Sequence, residues 1–301
     1  RELTPRHKGS YSSAHHNERG WMLRVRFWGV RGSIPTPGPS TGAFGGNTSC
    51  VEMRAGEHVL IFDGGTGLRV LGQQLVKRMP LTIHLFFSHV HWDHIQGFPF
   101  FAPAFVKGNT IHMYGGMNIV GTVETALAGQ MENPNFPVKL GELGSQLVFH
   151  DLHEGQAITL EGGAKISTAA GNHPGGVLAY RVDYEGKSIV YATDTEHLKN
   201  GEADARLVAL AKGADVLIYD SQYTPEEYEG SSGAGPKVGW GHSTFVEGVD
   251  LAKRAGVGTY VLYHHDPAQS DAMVREKEKR AKALMPSSIA AYEGLVLELV
   301  K

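Results

Sequence analysis

The sequence predicts an α/β domain built in layers around mixed sheets. Three observations lead there. Short apolar runs recur along the chain, several of them cut by Gly, Pro, Asn or Asp, as strands ending in turns would be. Helical patterns stand between and after them. Several strand-like runs are joined by turns too short for a crossover helix, which argues against a purely parallel sheet. The 301 residues are 41% hydrophobic, 20% charged and 9% aromatic, enough apolar side chain to fill a core and exclude disorder for most of the chain.

Residues 1–21 are polar, lack periodicity and read as a flexible arm or linker before a domain over residues 22–301, with a further upstream domain left open. Leu23-Arg24-Val25-Arg26-Phe27-Trp28 alternates apolar and basic residues, as a half-buried strand does. A Gly- and Pro-rich loop follows from Gly29 to Asn47. Val59-Leu60-Ile61-Phe62 is a strand cut by the turn Asp63-Gly64-Gly65, and Thr66 to Arg78 has a helical pattern. Thr82 to Phe87 is another strand. Further strands are expected at Lys165 to Thr168, Val177 to Val182, Ser188 to Ala192, Val216 to Tyr219 and Thr259 to Tyr263. Ser243 to Ala255 is a helix with Phe245, Val249 and Ala252 on one face, capping-box spacing from Thr244 to Glu247 and a stop at Gly256. Ser270 to Leu284 is a charged surface helix.

Several classes are excluded. No stretch reaches the ~18 apolar residues of a membrane helix. The one cysteine, Cys50, rules out an internal disulfide, a cysteine zinc finger and an iron–sulfur cluster. A net charge of −3 provides no basic field for nucleic acid. The opening Arg1-Glu2-Leu3-Thr4-Pro5 does not read as a secretory signal, so a cytoplasmic location is expected.

The segment that carries chemistry is Ser88-His89-Val90-His91-Trp92-Asp93-His94, directly after an apolar strand. In extended chain His89 and His91 point to one side, and a turn brings Asp93 and His94 to the same spot. Imidazole and carboxylate are ligands for Zn²⁺ and similar ions, and four of them this close can serve two adjacent sites.

This segment resembles the His-x-His-x-Asp-His signature of the metallo-β-lactamase-fold hydrolases, and the resemblance extends over residues 22–301. It implies an αβ/βα four-layer sandwich, two mixed β-sheets face to face with helices outside. It also implies later ligands: His173 in Gly171-Asn172-His173-Pro174-Gly175, Asp194 in Tyr191-Ala192-Thr193-Asp194-Thr195, and His264 before His265-Asp266-Pro267, with His265 as a rival for the last place. One metal would then be held by His89, His91 and His173, the other by Asp93, His94 and His264, with Asp194 shared. The ions would be two divalent metals, Zn²⁺ first, with Mn²⁺ and Fe²⁺ also compatible. Asp63 matches a family aspartate that orients a ligand histidine, although capping of the following helix is an equal reading. Asp220 carries the same ambiguity.

Gly239-Trp240-Gly241-His242-Ser243-Thr244 is similar to the His-Ser-Thr motif of the ribonuclease Z-like phosphodiesterase branch, where the histidine faces the scissile phosphate. The catalytic residues expected are therefore His242, Asp93 and Asp194. Ribonuclease Z proper carries a long arm for transfer RNA between the matches of His173 and Asp194. Here that stretch runs from 173 to 194, a span of 21 residues, room for a hairpin. The resemblance together with the acidic balance points to a small cyclic phosphodiester, a 3′,5′-cyclic nucleotide above others, as the substrate. The partners expected are that small molecule, no membrane and no large nucleic acid, with a homodimer left open. Ribosyl cyclic phosphate hydrolysis, a ribonuclease Z-like nuclease, a lactonase or thioesterase, and a non-catalytic sensor are the alternatives.

Phe98, Phe100, Phe101, Phe105, Met131 and Phe136 are candidates to wall a base pocket, or ordinary core. Arg31 and Gly46-Asn47-Thr48-Ser49 are read as touching phosphate or only shaping a loop. His84 and His112 are expected to be structural, His150 and His153 to lie in loops, and His197 to be a candidate for the site rim.

Overall fold

The computed structural model describes residues 21–116, 121–198 and 203–300. The expected arm, with His7, His15 and His16, lies outside the described residues apart from Trp21, at which the first strand already begins.

The first half runs β1 (Trp21–Gly29), β2 (Cys50–Ala55), β3 (His58–Phe62), α1 (Gly67–Leu75), β4 (Thr82–Phe87), α2 (Trp92–Ile95), β5 (Thr110–Gly116), α3 (Val123–Gln130) and β6 (Gln146–Leu152). The second runs β7 (Ala157–Thr159), β8 (Lys165–Ala170), β9 (Leu178–Tyr184), β10 (Lys187–Ala192), α4 (Ala205–Ala211), β11 (Val216–Asp220), α5 (Pro225–Glu229), α6 (Phe245–Ala255), β12 (Thr259–Tyr263), α7 (Asp271–Leu284), β13 (Ser288–Ala290) and β14 (Val296–Val300). Among the described residues these strands form two seven-stranded sheets, ordered β14-β1-β2-β3-β4-β5-β6 and β13-β12-β11-β10-β9-β8-β7. In each sheet antiparallel strands give way to parallel ones, from β3 to β6 in the first and from β10 to β13 in the second.

Alternation along the strands assigns the layers. Leu23, Val25 and Phe27 of β1, Leu60 and Phe62 of β3, and Phe86 of β4 pack against Ile166, Tyr180, Tyr191, Ile218, Val261 and Tyr263 of the other sheet. The intervening Val59, Ile61, Ile83, Leu85 and Phe87 face outward onto Leu68, Leu71 and Leu75 of α1 and Leu127 of α3. On the far side Leu217, Tyr219, Tyr260 and Leu262 receive Leu207 of α4, Phe245, Val249 and Ala252 of α6, and Val274 of α7. This is the four-layer αβ/βα sandwich expected. No helix among the described residues is long and apolar enough to cross a membrane.

Three buried tyrosine hydroxyls cross from the second sheet to the first at one end of the sandwich. Tyr180 donates to the Phe87 carbonyl at 2.6 Å, Tyr263 to the Gly29 carbonyl at 2.8 Å, and Tyr191 to the Asp63 carboxylate at 2.7 Å. A buried hydroxyl without a partner would cost about 1–3 kcal/mol, so these bonds fix how the sheets meet at that end.

Arg31 is fully buried. Its guanidinium donates to the carbonyls of Gly45 (2.9 Å), Gln269 (2.6 Å) and Asp266 (3.2 Å), so it shapes the loop rather than meeting phosphate. The 98–106 segment is divided: Phe98 and Phe101 are buried with Met131 in the outer core, whereas Phe105 is exposed and Phe100, also exposed, packs edge-on against Phe136. The prolines of Phe98–Phe100 and Ala102–Phe105 favour tight 3-10 turns that press the buried rings onto the sheet.

His150 is a correction. It lies in β6, not a loop, beside His112 of β5, with a ring nitrogen of each 3.0 Å apart. His84 and His112 are structural as expected, with rings stacked 5.1 Å apart, and His84 pairs with the Tyr114 hydroxyl. Burial first, then the neighbouring His112, His58 and His150, holds the pKa of His84 down at about 4. The unfolded chain takes this proton near 6.5. Folded protein therefore binds fewer protons between those values, and stability is lost as the pH falls through that window. Between pH 7 and pH 5 the loss from this group is expected to be about 2 kcal/mol. Denaturant titrations should show that His84→Gln lacks it; equal pH slopes in the two proteins would refute the assignment.

Candidate metal centre

Beyond the carboxyl ends of parallel strands is where open α/β sheets bind ligands, and here both sheets bring such ends together. β3 is followed by Asp63 and β4 by Ser88 and His89; β10 is followed by Asp194, β11 ends at Asp220 and β12 is followed by His264. Five non-glycine residues among those described have positive φ, and four of them, Ser33, Asp63, Asp194 and His264, stand at this place. Such backbone costs about 1–2 kcal/mol per residue, and here it turns side chains off the strand ends into one point. Glycines make room: a Cβ on Gly32 would lie 2.5 Å from the His264 ring, and one on Gly241 2.1 Å from His173 Nδ1.

Three overlapping clusters result among the described residues, and two of them gather the expected ligands. His89, His91 and His173 bring ring nitrogens together, with His173 Nε2 3.1 Å from His91 Nδ1. Asp93, His94, Asp194 and His264 form the second. In it His94 Nε2 lies 3.1 Å from Asp93 Oδ2 and 3.3 Å from Asp194 Oδ1, and His264 Nε2 lies 3.1 and 3.2 Å from the same oxygens. Asp194 faces both clusters, because its other oxygen, Oδ2, lies 3.7 Å from His89 Nε2.

The donor chemistry fits metal ions. His94 Nδ1 donates to Asp63 at 2.7 Å, His264 Nδ1 to the Gln222 side-chain oxygen at 2.9 Å, and His173 Nδ1 to the Gly241 carbonyl at 2.9 Å. Ser88 Oγ gives its proton to Asp63, so it accepts from His89 Nδ1 at 3.1 Å. With Nδ1 protonated, the neutral form of each ring turns an Nε2 lone pair into the site. Two such nitrogens, of His94 and His264, lie only 3.3 Å apart. His89 Nε2 is buried with no hydrogen-bond partner at all. Facing lone pairs repel, and cations between them reverse the sign.

The charges agree. Burial works against ionising Asp93 and Asp194, yet the surrounding histidines hold both well below the usual carboxylate range. Burial pushes the His89 imidazole well down, reinforced by His94. His94 goes the other way: Asp194, Asp93 and Asp63 outweigh its burial and raise it well above the ordinary value. A metal would replace a proton there, so binding is coupled to pH.

Residues 58–265 match the Beta-lactamase superfamily domain. The chain belongs to this superfamily. It is 27% identical over 311 aligned positions to Ribonuclease Z of Shouchella clausii, with 85% of this chain and 92% of that protein covered. The metallo-β-lactamase fold protein YhfI of Bacillus subtilis superposes with a TM-score of 0.65 at 19% identity, covering 92% of this chain and 98% of that one. The human short-form tRNase Z superposes with a TM-score of 0.62 at 18% identity, covering 91% and 98%. The chain is a metal-dependent hydrolase of the metallo-β-lactamase fold, with a His/Asp cluster suited to divalent ions.

All seven ligand candidates of this superfamily member, His89, His91, Asp93, His94, His173, Asp194 and His264, fall in the two clusters. His265 does not. Its ring turns away, and Nε2 donates to the Ala291 carbonyl at 2.9 Å. Asp63 resolves toward orientation: it accepts from the Ser88 amide, the Ser88 and Tyr191 hydroxyls and His94. The residue before α1 is Thr66, not Asp63. Asp220 supports His242, whose Nδ1 lies 2.8 Å from it, and also accepts from the Ser243 amide at 3.1 Å. His242 precedes the helix cap, Thr244, so it does not begin α6. Burial opposes its charge, but Asp220, with Asp194 and Asp93 behind it, raises the pKa to about 9. His197 approaches this region, 3.1 Å from the Ser243 hydroxyl.

Three supporting residues escape a reading of the sequence. Gln222 fixes His264. Lys277, buried on the otherwise charged α7, donates to the Ser221 carbonyl and the Gln269 side chain, both at 2.6 Å. Burial lowers its pKa to about 7. Glu196 accepts from the Gly239 amide at 2.7 Å and the Gly241 amide at 3.0 Å, clamping the loop before His242. Nothing in residue type or spacing marks these three, since their roles arise only from packing.

Proposed function

We propose that the protein is a binuclear phosphodiesterase that opens a small cyclic phosphodiester, a 3′,5′-cyclic nucleotide, to a monophosphate. The observation that carries this reading is His242, held by Asp220 and facing a cavity of about 500 Å³ lined by Ser33, Val90, His91, Trp92, Asp93 and Asp194. That volume suits a small ligand. Between His173 and Asp194 the chain makes only the β9–β10 hairpin, turning at Glu185-Gly186, which supports a small substrate over a long RNA.

His89, His91 and His173 would hold one ion, Asp93, His94 and His264 the other, and Asp194 both. Zn²⁺ is the proposed occupant, and the same ligands accept Mn²⁺ or Fe²⁺. Bound there, the metals supply Lewis acidity to phosphoryl oxygens and lower the pKa of water. The Ser33 amide donates to Asp93 Oδ2 at 2.7 Å and steadies that carboxylate. As water attacks phosphorus and a P–O bond to ribose breaks, His242 gives its proton to the leaving oxygen. Cations at Asp93 and Asp194 offset part of the field that raises His242, bringing this acid closer to neutral pH.

A second reading, a ribonuclease Z-like nuclease, is favoured by the Shouchella clausii relative. Metal-replete enzyme should be assayed on cyclic AMP, cyclic GMP, a ribosyl cyclic phosphate, a precursor transfer RNA and a lactone. The expected result is preference for a cyclic nucleotide. Preference for the precursor RNA or the lactone would overturn the reading, and preference for the ribosyl phosphate would overturn only its nucleotide part.

A further inference from the structure

We propose that the indole of Trp92 is the platform on which the planar base of the substrate stacks, so that the site selects a base-bearing phosphodiester over a baseless sugar phosphate. This rests on the phosphodiesterase reading above. Trp92 is 78% exposed, although tryptophan is usually highly buried, and it lines the cavity between the ligand candidates His91 and Asp93. Its frame is rigid: the His94 amide donates to the His91 carbonyl at 3.0 Å and the Gln96 amide to the Trp92 carbonyl at 2.8 Å. These bonds fix the backbone that presents the indole at the cavity, while the ring itself is open to a partner.

A second exposed tryptophan, Trp240, stands on the loop before His242 and is not among the residues that line the cavity. Trp240 is 58% exposed, with the Lys237 ammonium 4.4 Å from its ring centre. It sits on the loop that Glu196 clamps, next to Gly241, whose carbonyl holds His173. Ile34, also exposed, follows Ser33 of the cavity lining. The cavity joins a floor of His and Asp to an apolar lip made by Val90 and the exposed Trp92 indole. A nucleotide has both halves, a phosphate for the floor and a flat base for the lip. A ribosyl cyclic phosphate has only the first and would leave the indole uncovered. Phe98 and Phe101 cannot provide the stacking surface, because both are buried in the core, and Phe100 and Phe105, though exposed, are not among the residues that line the cavity.

The test compares Trp92→Ala and Trp92→Phe with the unaltered enzyme on cyclic AMP and on a ribosyl cyclic phosphate. The ratio of the two kcat/KM values cancels any damage common to both substrates. It is expected to fall by ~5–150-fold in the alanine variant, the range of one lost base–aromatic stack, and to recover largely in the phenylalanine variant. A ratio within twofold of the unaltered enzyme in Trp92→Ala would overturn the proposal. A second measurement needs no turnover: titration with AMP should quench tryptophan fluorescence, ribose 5-phosphate should not, and the AMP quench should vanish in Trp92→Ala. If no form hydrolyses cyclic AMP yet that quench behaves as stated, the phosphodiesterase reading fails and the platform stands. If hydrolysis proceeds with an unchanged ratio and most of the quench survives the substitution, the platform fails and the reading stands.

Discussion

Asp194→Ala is expected to lose metal from both halves of the centre and nearly all turnover with it. The reason is the position of its two oxygens, Oδ1 beside His94 and His264 and Oδ2 toward His89. Elemental analysis should fall from two ions per chain toward none. The drop in kcat/KM should exceed the ~10–100-fold that follows loss of a residue supporting a metal ligand. Asp63→Asn supplies that lesser case. Asp63 accepts from the Ser88 amide and hydroxyl, the Tyr191 hydroxyl and His94. An amide of the same shape turns an NH₂ group toward some of those donors, at about 1–3 kcal/mol for each buried group left unpaired. His94 would lose its orientation but not its place, so metal affinity should fall by ~10–100-fold. Full metal and full rate in Asp194→Ala would show that the carboxylate does not bridge. An Asp63→Asn defect as deep as that of Asp194→Ala would show that the centre is not organised around Asp194.

The residues gathered in the two clusters were offered by the sequence on different grounds: His89, His91, Asp93 and His94 by chemistry and local geometry, and His173, Asp194 and His264 by the resemblance to the metallo-β-lactamase-fold hydrolases. Four donor residues within six positions at a strand end have few other uses, and His173, Asp194 and His264 each follow a strand. The strands with continuous apolar runs, β3, β4, β10, β11 and β12, were legible because they are buried on both faces. β2 was not. Its Glu52 and Arg54 interrupt the apolar pattern, and only the structure shows them paired at 2.6 Å, with Glu52 also accepting from Trp28 at 2.9 Å. β6 was missed because its outer positions are polar or histidine, stacked against β5 at the sheet edge. Gln222, Lys277 and Glu196 were illegible in a stronger sense, since each acts on residues far away in the chain. Phe98 and Phe101, read as pocket wall or ordinary core, are core, and an apolar stretch after a site reads the same in sequence whether it faces the cavity or the core. Trp92, inside the metal motif, was the better aromatic candidate.

His242→Ala is expected to lower kcat by ~10²–10⁴-fold, the range for a lost acid–base group, while both metals stay in place. His242 contacts Asp220 at 2.8 Å and lies farther, 3.9 Å, from Asp194 Oδ2. Nonetheless Asp194, Asp220, His242 and His264 form a third group compact enough to hold an ion. Metal content therefore decides between two roles. Retained metal with a slow chemical step makes His242 the acid, and lost metal makes it a ligand. The pH profile gives a second, independent readout. The pKa of His242 is raised to about 9 because Asp220 outweighs its burial. A general acid works only while protonated, so kcat should fall on the alkaline side as that proton is lost. Asp220→Asn removes the main source of the raised value, and its alkaline limb should move to lower pH. In His242→Ala the limb should disappear. An alkaline limb unchanged in both variants would remove His242 from proton transfer and leave its pairing with Asp220 as a structural feature of the loop before α6.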